Sequence, residues 1–131
     1  MVEFALVGSV FLLIILGIFE VGRAVMVRVL LFNAARIGAR VGTIEGTSST
    51  DVTNAVNNYL NGSGISGDTA TIYVNDQAVS SSTTSDPVQN AKAGDEITVL
   101  VGVPFSKVTW LPFTKYLTNA SVVGQFTLRR E

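Results

Sequence analysis

The run FALVGSVFLLIILGIF, Phe4 to Phe19, decides the architecture of this 131-residue chain. It holds no charged residue and is bounded by Glu3 and Glu20. As a helix it spans about 24 Å, a little short of the ~30 Å hydrocarbon core of a bilayer. Val21, Gly22 and the stem of Arg23 lengthen it, because an arginine can snorkel to the interface. A secretory signal peptide has a basic segment before its apolar run and a small-residue cleavage site after it. Here Met1-Val2-Glu3 is acidic, and Val21-Gly22-Arg23 continues into helix-compatible sequence.

Working outward, no proline interrupts the chain after Arg23, and helical periodicity persists to about Thr43. Met26, Val27, Leu30, Leu31, Ala34, Ile37 and Val41 share one face, with Arg28, Asn33, Arg36 and Arg40 gathered opposite. The pattern predicts one helix over residues 2 to about 43, on the order of 60 Å long. Its first half, residues 1–22, is apolar all round, and one small head cannot cover it. Phe4, Leu6, Phe11, Leu12 and Ile15 are therefore expected to face lipid or copies of other helices.

Three features of this helix carry further expectations. Glu3, in the first turn, is favoured by the macrodipole by about 0.3–1 kcal/mol. It either marks the headgroup boundary or pairs with a positive group on a neighbouring chain. Glu20 and Arg23, spaced i, i+3, can form a surface ion pair. Ala34, Gly38 and Gly42 repeat small residues every fourth position, which permits close packing either of another helix or of the protein's own sheet.

Residues 23–131 read as a globular head. Thr43 to Thr50 is a turn, followed by a short helix over about 50–61. Ser49 or Thr50 caps it, Val52, Ala55, Val56, Tyr59 and Leu60 form its buried face, and Gly62 ends it in a left-handed conformation. Strands are expected over about 70–75, 96–104 and 119–129. Ile97, Val99, Val101 and Val103 alternate in the second, and Ala120, Val122, Phe126 and Leu128 in the third. Asn75-Asp76 is a turn signal, and residues 80–92 read as an exposed loop. Three such runs predict an antiparallel three-stranded meander, which needs a second layer. The C-terminal half of the long helix supplies it, and the fold class is α+β. Trp110, Leu111, Phe113 and Tyr116 cluster in one connection, as a contact surface or as a lid under the sheet.

Composition closes several routes. The chain has no cysteine and no histidine, so thiolate sites, Cys-His and Ser-His-Asp catalysis are out of reach. Lys and Arg number 9 against 10 Asp and Glu, a net charge of −1, which gives no basic field for nucleic acid. Scattered carboxylates with Lys92, Lys107 and Lys115 make no nucleophile–base arrangement, and no cofactor or metal site is expected.

Val2-Glu3-Phe4-Ala5-Leu6-Val7, the apolar run, Glu20-Val21-Gly22-Arg23 and Asn33-Ala34-Ala35-Arg36-Ile37-Gly38-Ala39-Arg40 together resemble the TadE-like family of pilin-related proteins. The β-rich tail ending Leu128-Arg129-Arg130-Glu131 fits in pattern. The resemblance implies a pilin-like fold and a leader cut by a prepilin peptidase on the cytoplasmic face. It also implies assembly from the inner membrane by the tight-adherence, Flp-type pilus apparatus with its ATPase, giving a filament or pseudopilus at the cell surface. Glu3 would match the family glutamate that neutralises the N-terminus of an adjacent subunit. Where the family often has a proline this chain has Gly8-Ser9, and Gly8 would allow local melting. Arg23, Arg28, Arg36 and Arg40 follow the apolar run, so the positive-inside rule taken literally would put the head in the cytoplasm. The resemblance puts it outside, with orientation set by a basic leader.

Overall fold

The computed structural model describes residues 2–79, 85–109 and 119–131. A single helix, α1 (Val2–Gly42), runs through the apolar stretch and on into the head without a break. At Gly8-Ser9 the helix continues, the Ser9 hydroxyl donating to the Leu6 carbonyl at 2.8 Å. The head follows as α2 (Ser49–Gly62), β1 (Thr69–Val74), β2 (Gln77–Ala78), β3 (Glu96–Pro104), the short α3 (Phe105–Val108) and β4 (Ser121–Arg129).

The sheet is antiparallel throughout, in the order β2-β1-β3-β4. Its long strands are the expected meander, with Ile72 opposite Val99 and Val99 opposite Phe126. The fourth strand is the correction. Asn75 and Asp76 take φ of 49° and 64°, both left-handed, as the tight hairpin turn that matches strand twist requires. The chain therefore folds straight back, and Gln77–Ala78 adds a two-residue edge strand.

One face of the sheet is covered by α1 and α2 lying side by side. Their buried residues Leu31, Ala34, Ala35, Ala39, Val52, Val56 and Leu60 meet Ile97, Val99, Val101 and Val103 of the central strand β3. On β3 the odd positions Ile97, Val99, Val101 and Val103 are buried as the alternation predicts, and Thr98 is buried with them, its hydroxyl bonded to that of Thr127. On α1 the buried stripe differs from the one hydrophobicity alone predicts. It runs Val27, Leu31, Ala34, Ala35, Gly38, Ala39, Gly42, leaving Met26 and Ile37 exposed. Size explains the rotation. The seam is made of alanine and glycine so that backbones approach closely, and the larger apolar residues are left on the flank.

The ends of α2 also differ from expectation by a residue or two. Ser48 is the N-cap, its hydroxyl accepting from the Asp51 amide while the Asp51 carboxylate accepts from the Ser48 amide, a reciprocal capping box. At the other end Gly62 remains helical, and Gly64 takes the left-handed φ of 74°. The Gly64 amide donates to Asn61 and that of Ile65 to Leu60, both at about 3 Å, which is a Schellman closure.

The stretch read as an exposed loop is, from residue 85 onward, part of the packed head. Val88 is fully buried. Asp86 accepts from the Ser49 amide and hydroxyl at 2.7 and 2.8 Å, tying this segment to the start of α2. Arg130, only 4% exposed, donates to the carbonyls of Val88, Ala91 and Ile44. A buried guanidinium satisfied by three carbonyls thus clamps together the α1–α2 and β2–β3 connections.

Candidate assembly helix and its junction with the head

The candidate site is the lower half of α1 and the place where it enters the head. Glu3 lies exposed in the first helical turn and, among the described residues, makes no hydrogen bond or ion pair. Phe4 is 83% exposed and Phe11 62%, with Leu6 and Leu12 similar; Ile15 is half-buried. The most apolar 18-residue window of this helix has no part buried against the head. Its length and composition suffice to cross a membrane. A soluble monomer would leave this surface in water, and a large contiguous exposed apolar surface marks a membrane or protein contact.

At the junction the helix is braced. Arg23 is half-buried, and its Nε donates to the Val108 carbonyl at the end of α3. Glu20, one turn below, is half-buried as well, and its Oε1 is shielded from solvent without a hydrogen-bond partner among the described residues. Sequence spacing pairs Glu20 with Arg23, whereas the structure carries Arg23 across to the head. Beside them lies a groove of about 620 Å³, walled by Gly17, Val21, Ala24 and Val25 on α1 and roofed by Phe105 and Val122. Arg28 stands on its rim and is exposed.

Ala34, Gly38 and Gly42 come together with the chain's own head. A Cβ built on Gly38 would lie 2.7 Å from Val56 Cγ2 and 3.3 Å from Val99 Cγ1. At Gly42 the nearest atoms belong to Ile97 and Val52, at 3.1 and 3.3 Å. Of the two partners that the small-residue repeat allows, the structure therefore supplies the internal one, α2 and β3 together. Trp110, Leu111, Phe113 and Tyr116 lie outside the described residues.

The decisive junction residue that periodicity misses is Gly124. On β4 it occupies the buried position between Val122 and Phe126, and a Cβ there would lie 2.4 Å from the backbone of Leu31 and Phe32. Its signal was present in the sequence, since a glycine inside an alternating strand marks a close backbone approach. Next to it Phe32 meets Phe126 edge-on, ring centroids 5.4 Å apart, and the Arg36 guanidinium sits 5.8 Å over the Phe126 ring. Among the described residues no three acidic side chains converge to hold a metal ion.

The family model described as TadE-like protein matches residues 1–40. That span covers nearly all of α1, so the resemblance read from the sequence rests on this helix. No curated protein and no solved structure matches the chain.

Proposed function

We propose, taking the TadE-like helix as the premise, that this chain is a structural pilin or pseudopilin subunit of a Tad-type pilus system. It is held in the inner membrane by the lower half of α1, with the head outside the cytoplasm. It assembles through that same helix into a surface filament or a pseudopilus. The observation that carries the reading is the division of α1: an apolar lower half with nothing of the head upon it, and an upper half seated on the sheet. A helix that moves from lipid into a bundle of like helices gains little hydrophobic energy, because lipid is as apolar as leucine. Specific polar contacts then decide the direction, and Glu3 is the charge placed to make one. A prepilin peptidase and an assembly ATPase are the machinery this role requires. The reading assigns the chain no catalytic step and no cofactor.

Electron microscopy of sheared surface material tests it. Filaments or short pseudopili containing this chain are expected from cells that make it. Glu3→Ala should abolish them while leaving the amount of chain in the membrane unchanged. A wild-type chain that stays in the membrane fraction, with Glu3→Ala indifferent, would instead support a single-span envelope binding protein that does not polymerise. Protease added to intact spheroplasts should cut the head, and protection would place it in the cytoplasm.

A further inference from the structure

One stripe of α1 stays apolar and uncovered well past the point where a bilayer could shelter it. Phe4, Phe11, Ile18, Val25 and Phe32 recur every seventh residue, the repeat of a helix-pairing seam, and are 83, 62, 66, 56 and 43% exposed. From first to last the stripe is about 42 Å long, against ~30 Å of hydrocarbon. Its upper end, Val25 to Phe32, stands at the edge of the head, with Val25 56% exposed and Phe32 still 43% exposed although its ring meets Phe126. Next to that end Arg28 projects without a hydrogen bond or ion pair among the described residues. At the lower end Glu3 is equally unpartnered and is the sole charge before Glu20.

We propose that a second copy of this chain covers the upper end with its own first turns, in parallel and shifted by three heptads. The proposal rests on the self-assembly reading above and names its contact. A shift of 21 residues, about 32 Å, keeps the seven-residue repeat in register. Phe4 of the second copy then meets Val25 of the first, and Phe11 meets Phe32. Glu3 arrives level with Ala24. Arginine side chains on a helix lean toward its N-terminus, so the Arg28 guanidinium comes down to that level. The two unpartnered charges meet, and the pair closes over an apolar seam, where the attraction is less screened than at an open surface. The contact is head-to-tail, so repeating it builds a filament and not a closed dimer.

The chain has no cysteine, which makes engineered pairs clean reporters. Full-length chain carrying Phe4→Cys with Val25→Cys, oxidised in filaments sheared from the producing cells, should give a ladder of covalent multimers. Phe4→Cys with Ile18→Cys, one heptad out, should cross-link about tenfold less, because a two-turn mismatch of about 10 Å exceeds disulfide reach. Arg28→Glu should reduce the ladder about tenfold, and Glu3→Arg in the same chain should restore it. Filaments that form while the 4–25 pair gives no ladder, or no more than the 4–18 pair, overturn this register and leave self-assembly standing. A ladder indifferent to Arg28→Glu, or not restored by the double exchange, overturns the charge contact. Absence of filaments and of multimers with every pair overturns both readings together.

Discussion

The two halves of α1 both set glycines among large apolar residues, yet those glycines obey different rules. Below Glu20, Gly8 and Gly17 have no neighbouring atom within 4 Å of where a Cβ would stand, and the large apolar residues point into open space. Above Val27, Gly38 and Gly42 are crowded by Val56, Val99 and Ile97, and alanines line the seam. In the lower half a glycine is only a weak helix former, whereas in the upper half it sets how near the sheet can come. Composition alone does not distinguish these roles; the partner surface does.

The sharpest way to break the comparison is to fill the notch on the sheet side. Gly124→Val places a side chain into the Leu31–Phe32 backbone, and the head should lose more than about 3 kcal/mol, read as a collapsed melting temperature in detergent. Arg130→Met comes next. It leaves the carbonyls of Val88, Ala91 and Ile44 without their shared donor and should cost about 2–3 kcal/mol by chemical denaturation, with α1 still inserted in the membrane.

Acid gives the third effect. Burial raises the Asp86 carboxyl, but hydrogen bonds from the Ser49 amide and hydroxyl and from the Val88 amide outweigh it, and the value falls below the ordinary 3.8. The Asn75 amide and the Lys92 backbone lower Asp95, and the Ser48 amide and hydroxyl lower Asp51. Carboxyls lowered on folding stabilise the head fully above the ordinary aspartate value, and that stability is lost as pH falls through the lowered values. Melting temperature should therefore hold steady down to about pH 4 and drop below it. Asp86→Asn should flatten the drop and cost about 1 kcal/mol at neutral pH.

The smallest effect belongs to the bare half. Gly17→Ala meets no atom and should change head stability by less than about 0.5 kcal/mol. A large loss there would mean that the lower helix is packed on the head after all.

These contrasts also show what sequence could convey. The apolar run, the three long strands and the buried face of α2 were legible because each is a local period of hydrophobicity. The orientation of α1 on the sheet was not. A hydrophobic wheel weights Met26 and Ile37 above Ala35 and Ala39, and only the backbone approach at Gly38, Gly42 and Gly124 reverses that order. Val88 and Arg130 were invisible for another reason. Each lies in polar sequence, and Arg130 draws its carbonyl partners, Val88 among them, from 39 to 86 residues away. In the lower half of α1, the exposure of Phe4, Phe11 and Phe19 was legible because the apolar run is too long for one small head to cover.

The seat at Gly124 also bears on the order in which the molecule is made. It joins β4 to α1 across more than ninety positions of chain, from residue 31 to residue 124. Loop closure over such a separation is slow, because its entropy is lost before any contact compensates. A free chain must order α1 and find β4 in one search. A chain whose helix is ordered first has only the strand left to place, so α1 would serve as the template on which the head closes.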